Sequence, residues 1–210
     1  MIRNKTIPAK RFALLLLLLP AFTFCHAQRL DLFGGLNSSG FNHKIAGASQ
    51  KNSGNINFHV GMGLFVPFQP KEYKKSEEGG GIFPRLQYVS KGTSKATIIS
   101  STSADVKVRY LQLNVPLSYV ASLYGVGIGP YAAYAVSGWK KDRVGSAGKQ
   151  NINFGSDLNR LDYGLSIDFE FSLFKLEYDF GIANIGTGIN TVKTRNFEIG
   201  IRIPLANASN

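Results

Sequence analysis

The sequence has very little of the residue types that most often carry chemistry. Its 210 residues include one cysteine, three histidines and one tryptophan. Because the single cysteine, Cys25, lies close to the N-terminus, we expect neither a disulfide framework nor thiol chemistry in the rest of the chain. Paired histidines at ligand spacing are missing as well, so neither a metal site nor a cofactor is expected.

Long apolar runs are also scarce, because only residues 12–24 form one. This run is about half of the ~20 residues that a membrane-spanning helix needs. Four basic residues precede it: Arg3, Lys5, Lys10 and Arg11. Cys25-His26-Ala27 follows and resembles a small-x-small cleavage site, so residues 1–27 are predicted to be a secretory signal peptide. A lipoprotein signal is disfavoured, since Phe24 precedes Cys25 at a position where a small residue is needed.

Cleavage after Ala27 would leave residues 28–210 as one domain, since no Pro/Ser-rich linker divides them. The lost segment has four basic residues and no acidic ones, so the formal net charge falls from +11 to +7. The mature domain therefore stays basic. No nucleic-acid partner is predicted.

What the sequence does have is strict alternation, which is clearest from Arg160 to Phe180. One parity of this stretch is apolar: Leu161, Tyr163, Leu165, Ile167, Phe169 and Phe171, then Phe174, Leu176, Tyr178 and Phe180. The intervening positions are mostly charged residues, serine or glycine, apart from the short turn at residues 172–173. Since side chains of a strand point alternately to its two faces, this stretch predicts a hairpin with one apolar and one charged face.

The same alternation predicts about eight strands of ~10 residues along the mature chain. Outside the hairpin they cover approximately residues 30–39, 56–68, 81–91, 111–119, 124–136 and 196–205. Short connections at 121–123 and 172–173 alternate with longer ones at 42–55, 92–105, 140–157 and 186–191. We therefore predict an all-β fold, a transmembrane antiparallel up-and-down β-barrel of about eight strands.

A soluble, lipocalin-like barrel would show the same alternation, with its apolar side chains inside. An eight-stranded lumen is only just wide enough for its own side chains, so it could not hold all the Leu, Ile, Phe and Tyr residues of these faces. The apolar faces are therefore expected to contact lipid. Aromatic residues near the short turns are typical of a membrane-interface girdle: Phe68, Tyr119, Tyr124, Phe171 and Phe174.

Two features do not follow the simple pattern. Prolines fall inside four predicted strands, at Pro67, Pro84, Pro116 and Pro204. Each removes a ladder hydrogen bond, so bulges or strand ends are expected there. The connection from Gln69 to Gly80 is long and carries charges of both signs on the short-turn side. It is predicted to be a flexible, solvated turn, with a docking segment for a periplasmic partner as the alternative.

Short motifs carry a resemblance to a known family. They are Phe33-Gly34-Gly35-Leu36-Asn37, Tyr110-Leu111-Gln112-Leu113-Asn114-Val115-Pro116-Leu117, Gly127-Ile128-Gly129-Pro130-Tyr131 and Arg195-Asn196-Phe197. With these motifs the chain resembles the PorT-like outer-membrane β-barrel family (porin family, outer membrane protein beta-barrel domain) of Gram-negative bacteria. The resemblance implies an outer-membrane location and insertion by the barrel assembly machinery. It also implies, for the name-giving member, a tie to secretion and gliding machinery.

The inward parity of the predicted strands carries charges of both signs. The predicted lumen charge network consists of Arg85, Asp168, Glu170, Lys175, Glu177, Asp179, Glu198 and Arg202. Asp31, Lys91 and Asp162 share that parity. Charges confined at low dielectric must pair or change protonation, so we expect a salt-bridged plug rather than an open pore.

The loop side of the barrel is predicted to be basic. Lys140, Lys141 and Arg143 follow Trp139, an aromatic residue suited to the lipid headgroup region. Together with Lys107 and Arg109 they are candidate contacts for lipopolysaccharide phosphates, because Lys and Arg bind phosphate through charge-assisted hydrogen bonds. A generic solvated basic surface is the equal alternative.

No catalytic residue is predicted. Of the mature histidines, His43 is predicted in a loop and His59 in the lumen, and spacing ties no serine or carboxylate to either. The favoured function is thus non-enzymatic: an outer-membrane barrel with a plugged lumen that acts as a structural or interaction protein through its basic loops. The alternatives are an accessory of a secretion or gliding-motility complex, with a partner at Gln69 to Gly80, and an outer-membrane lipid-modifying enzyme or protease.

Overall fold

A computed structural model describes residues 29–45, 48–50, 53–96, 103–143, 148–188 and 190–207. The predicted signal peptide and Cys25 lie outside these residues. Within them, no helix has the length and apolarity to cross a membrane.

Almost all of the described chain is β-strand. The strands are β1 (Arg29–Ile45), β2 (Ala48–Gln50), β3 (Ser53–Pro67), β4 (Gly79–Ile82), β5 (Arg85–Ala96), β6 (Ala104–Asn114), β7 (Leu117–Val120), β8 (Tyr124–Asp142), β9 (Gln150–Asn151), β10 (Leu161–Phe171), β11 (Phe174–Gly181) and β12 (Asn190–Asn207). One short helix, α1 (Pro70–Ser76), lies between β3 and β4. The two-residue turn between β10 and β11 is the one that the alternation predicts.

The sheet closes on itself. Neighbouring strands pair antiparallel in the order β1, β3, β5, β6, β8, β10, β11 and β12, and β1 pairs with both β3 and β12. The short strands β4 and β7 pair with each other and extend the barrel wall below β5 and β6. The fold prediction, an up-and-down antiparallel barrel of eight strands, is therefore confirmed. We call the end with α1 and the short turns the turn end, and the opposite end the loop end.

The in-strand prolines lie where the hydrogen-bond ladder is interrupted. Pro84 separates β4 from β5, and Pro116 separates β6 from β7. Their carbonyls still accept, from the amides of Leu64 and Phe83 respectively, both at 3.0 Å. Pro204 lies beside a register shift between β1 and β12, and Pro67 ends β3. Breaks, a bulge and a strand end thus accommodate all four, because proline lacks the N–H that a continuous ladder needs.

An uninterrupted belt of apolar side chains faces outward. In β10 every second residue from Leu161 to Phe171 is exposed, while the intervening residues are buried. A tilted strand of this length spans about 25 Å, the height of the apolar band of membrane barrels. The five predicted girdle aromatics are all exposed near the turn end. Such a surface belongs in lipid, so the fold is that of a transmembrane barrel.

The loop end is closed by an apolar cluster that the sequence pattern does not reveal. Ile152 and Leu158 come from the segment between β9 and β10, and Ile185 from the one between β11 and β12. They pack on inward side chains of the strands, among them Val106 and Val108. Hydrogen bonds join the two segments: the Asn159 amide donates to the Ile185 carbonyl at 2.8 Å. The ion pairs of the lumen therefore lie below this cluster.

The turn end is closed by α1, which corrects the prediction of a flexible turn at Gln69 to Gly80. Pro70 stands in the first turn of the helix, where its missing N–H costs nothing. Tyr73 is buried against Phe65, with ring centroids 5.1 Å apart, and joins Phe83 and Val120 in a small cluster. Burial raises the pKa of the Tyr73 hydroxyl. The barrel thus has an apolar cap at each end.

Candidate functional site

Two features of the barrel could carry function: the charged lumen and the basic surface at the loop end. In the lumen the structure places all eight residues of the predicted charge network on the inward face, seven of them almost fully buried and Arg202 partly so. It joins Arg29, Asp31, Lys91 and Asp162 to them through ion pairs. The network has three levels between the two caps.

The first level lies at the turn end and contains two bases and two acids. Nε of Arg29 is 2.9 Å from Oδ2 of Asp31, and its Nη2 is 2.9 Å from Oε2 of Glu170. Arg202 approaches the same two carboxylates at 3.4 and 3.5 Å. Each arginine therefore bridges both acids, and the level is electrically balanced.

The second level lies in the middle of the lumen. Arg85 is fully buried, with Nη2 2.8 Å from Asp168 and 3.2 Å from Glu177. Lys175 makes a close ion pair with Glu177 and lies 3.9 Å from Oε2 of Glu198. Two bases therefore face three acids. Such buried ions are held only where each one has a partner of opposite charge.

The third level lies beneath the loop-end cap. Lys91 approaches Asp162 at 3.3 Å and Asp179 at 3.4 Å. Its ammonium also lies 4.5 Å from the ring of Tyr131, within cation–π distance. Thr194 donates to Asp162 at 2.9 Å. One base here serves two acids, so the negative charge of the lumen exceeds the positive charge at this level too.

Glycines make room for these side chains. A Cβ built on Gly127 would lie 2.7 Å from a carboxylate oxygen of Asp168, and one on Gly63 would lie 2.8 Å from Cγ of Arg85. At distances this short, a larger residue would force the Asp168 and Arg85 side chains to move. The inward glycines of β3 and β8 are therefore part of the network's packing.

At the loop end a bulge decides which basic residues share a face. Tyr110 of β6 pairs with Ala135 and Arg109 pairs with Ser137, so Val136 is an extra residue in β8. An extra residue moves every later side chain of the strand to the opposite face. Ser137 therefore pairs with the exposed Arg109 on the outer face.

The predicted trio Lys140, Lys141 and Arg143 does not share one face, because β8 continues to Asp142 and its successive side chains point to opposite faces. Lys140 pairs in register with the buried Val106, and its ammonium lies 3.7 Å from Asp157 on the loop-end cap. Lys141 lies on the other face and is exposed. Arg143 pairs with Asp105 at 2.8 Å. Burial raises the pKa of Asp105, but the Arg143 guanidinium outweighs this and brings it below the usual range.

The outward basic patch consists instead of Lys107, Arg109, Lys141 and Lys149 around Trp139. Trp139 pairs in register with Lys107, and the ammonium of Lys149 lies 4.7 Å from the indole ring. Burial, together with the positive charges of Arg109 and Lys149, lowers the pKa of Lys107. Because Asp105 already forms an ion pair with Arg143, it does not neutralise the positive charge of the patch.

Two further arginines mark the upper edge of the apolar belt. Arg195 lies 3.6 Å above the ring of Phe180, and Arg160 lies 5.7 Å from the ring of Tyr134. Both aromatic residues are exposed in the belt. A guanidinium stacked on an aromatic ring at this height is suited to the boundary between acyl chains and headgroups.

The sequence pattern missed several members of the lumen. Arg29 shares the parity of Asp31, but it stands at the edge of the predicted first strand. His43, predicted in a loop, is buried in the longer β1 that the structure shows. Neutral amides also contribute: Asn196 donates to Glu198 at 2.7 Å and to Asp179 at 3.2 Å. The inward parity of Arg29, His43 and Asn196 was the sequence signal that could have identified them as lumen residues.

No protein-family model and no curated protein matches the chain. Among solved structures it is similar to Neisserial surface protein A, with 9% identity, 83% of this chain and 96% of that chain covered, and a TM-score of 0.47. Ail, the attachment invasion locus protein of Yersinia pestis, is similar at 11% identity, with 84% and 99% covered and a TM-score of 0.40. In complex with the heparin analogue sucrose octasulfate, Ail gives 10% identity, the same coverage and a TM-score of 0.39. Similarity at this level is coarse and carries nothing about the ligand or activity of this chain.

Proposed function

We propose that this chain is a bacterial outer-membrane barrel, exported by a cleaved signal peptide, whose outward basic patch binds the phosphates of lipopolysaccharide. The patch carries the proposal. Lys107, Arg109, Lys141 and Lys149 surround Trp139 directly above the apolar belt, at the height expected for lipid headgroups. The barrel acts as a structural or interaction protein from this surface, while its capped lumen conducts nothing.

Electrostatics favours a polyanionic lipid over a neutral ligand. Burial is the main cause of the lowered pKa of Lys107, and the positive charges of Arg109 and Lys149 add to it; a phosphate placed among these groups would relieve their repulsion. Arg160 and Arg195 extend the basic surface around the rim of the belt. Each basic residue near an anionic membrane surface contributes about 1 kcal/mol of attraction, which salt screens.

Replacing Lys107, Arg109 and Lys149 with glutamine is expected to weaken lipopolysaccharide binding roughly tenfold to hundredfold at low salt. Trp139 is the only tryptophan of the chain, so its fluorescence reports binding at the patch itself. Binding is measured by titrating detergent-solubilised protein with lipopolysaccharide, and the wild-type affinity should fall as salt is raised.

A variant with the same charge change at the turn end serves as the control: Lys71, Lys74 and Lys75, all on α1, replaced with glutamine. It should bind like the wild type. Equal binding by the patch variant and the wild type at low salt would leave the patch as an ordinary solvated surface and refute the proposal.

A second function is favoured by the structure of α1. The helix is anchored by the buried Tyr73, while Lys71, Glu72, Glu77 and Glu78 at or beside it are exposed. An ordered, charged surface at the turn end fits a periplasmic partner of a secretion or gliding-motility complex, which is the role that the PorT-like resemblance implies. Loss of surface secretion, but not of membrane integrity, on replacing these four charges would favour this function.

A further inference from the structure

We propose that the middle of the lumen binds one divalent metal cation through Glu177, Asp179 and Glu198. One carboxylate oxygen of each residue lies within 4.8 Å of the other two. All three side chains are almost completely buried. Carboxylate oxygens suit Mg²⁺, Ca²⁺ and Mn²⁺. The site is separate from the basic patch and does not depend on the proposed function.

Strand register brings the three carboxylates together. Glu177 of β11 is the direct partner of Glu198 in β12, and Asp179 follows two residues further on the same face. Like charges directly opposite one another destabilise a strand pair. The barrel nevertheless folds with this arrangement in its interior, where a bound cation would turn the repulsion into attraction.

The charges of the described lumen leave a surplus that matches such an ion. Seven carboxylates face inward, namely Asp31, Asp162, Asp168, Glu170, Glu177, Asp179 and Glu198. Five bases oppose them, namely Arg29, Arg85, Lys91, Lys175 and Arg202. The turn-end level is balanced, so both surplus negative charges lie at the levels of Glu198 and Asp179. A divalent cation would neutralise them, as buried charge requires.

His59 provides an independent indication of a ligand. Its imidazole is 2% exposed, and its Nε2 lies 3.7 Å from Oε2 of Glu198. Within the described part of the chain neither ring nitrogen has a hydrogen-bond partner, and the same holds for Oε2 of Glu198 and Oδ1 of Asp179. Buried polar groups are normally paired, because each unpaired one costs about 1–3 kcal/mol.

A cation would give the unpaired oxygens of Asp179 and Glu198 a partner, and the His59 imidazole lies beside Glu198 at the edge of the carboxylate group. Mn²⁺ binds well to carboxylate oxygens and tolerates a nearby imidazole, so it is the probe of choice. Lys91 lies 3.4 Å from Asp179, and Lys175 makes a close ion pair with Glu177 and lies 3.9 Å from Glu198; both are already included in the charge balance. The lysines position the acids without neutralising all of them.

The test is elemental analysis of protein refolded in detergent with Mn²⁺ and then washed with a chelator. We expect about one Mn²⁺ per chain, retained because both ends of the lumen are capped. Glu198→Gln should lower the bound metal at least tenfold. Glu170→Gln, the same change at the balanced turn-end level, is the matched control and should keep it.

Folding of each variant is checked by its β-sheet circular dichroism, and Asp179→Asn serves as a second variant should Glu198→Gln fail to fold. Folded wild-type protein without bound Mn²⁺ would overturn the proposal, since protons would then neutralise the surplus charge. Full metal retention by the folded Glu198→Gln and Asp179→Asn variants would equally overturn it.

Discussion

Replacing Arg85 with methionine is expected to destabilise the folded barrel by about 3–5 kcal/mol, because it leaves two buried carboxylates without their common partner. The Arg85 guanidinium is fully buried and lies within 3.2 Å of both Asp168 and Glu177. Methionine keeps the unbranched stem that packs in the lumen. The loss of unfolding free energy would therefore reflect the missing charge and its hydrogen bonds rather than a cavity.

The measurement is urea-induced unfolding of the protein from lipid vesicles. Lys141→Gln, at an exposed position of β8, is the control and should change the free energy of unfolding by no more than about 0.5 kcal/mol. Adding Asp168→Asn to the Arg85→Met variant should restore part of the loss, since one unpaired charge is removed. A loss below about 1 kcal/mol for the single variant would contradict a lumen held by buried ion pairs.

Replacing Ile167 with lysine is expected to cost about 2–4 kcal/mol in the same assay, because it places a charge near the middle of the bilayer. Ile167 lies halfway along β10, is 56% exposed and pairs with Ile128 and Tyr178. On a water-soluble barrel the same substitution would add a charge to an exposed site and change stability little. The variant therefore distinguishes lipid from water around the belt.

Ser53→Lys is the matched control, since Ser53 is exposed in β3 at the loop end, beyond the apolar belt. Its free energy of unfolding should stay within about 0.5 kcal/mol of the wild type. If Ile167→Lys proves as stable as Ser53→Lys in vesicles, the belt does not contact lipid.

The barrel itself could be predicted from sequence because a period of two is a strong signal when one face meets lipid and the other a narrow lumen. Residues such as Ile167 and Asp168 are neighbours in sequence but lie on opposite faces. A shift by one residue would put charges into lipid, so the strand pattern fixes both orientation and register. The same parity placed Arg85, Glu177 and Glu198 in the lumen before any contact was known.

The caps could not be predicted in this way. Val106 and Val108 have inward parity at the loop end, yet an inward valine does not reveal that Ile152 and Leu158 of a connecting segment cover it. Helix α1 has seven residues and a single buried anchor, Tyr73. Its charged composition resembles that of a solvated turn, so local sequence gave no indication of the tertiary contact that orders it.

The basic surface shows another limit of predicting side-chain positions from sequence. Alternation is reliable only while strands stay in register, and the extra Val136 in β8 exchanges the faces of the residues that follow. Lys140 and Lys141 were expected together in a loop, but both belong to the longer β8 and, as neighbours in a strand, lie on opposite faces. Lys149 belongs to the outward basic patch through a contact with Trp139 that sequence spacing does not show.

Single-channel recording of the purified wild-type protein in planar bilayers tests most directly whether the lumen of the barrel is closed. Among the described residues, an apolar cluster lies at each end of the barrel and ion-paired side chains lie between the two. The account predicts no stable conductance steps, with an open porin recorded under the same conditions as the positive control. Reproducible nanosiemens-scale steps from the monomer would contradict it.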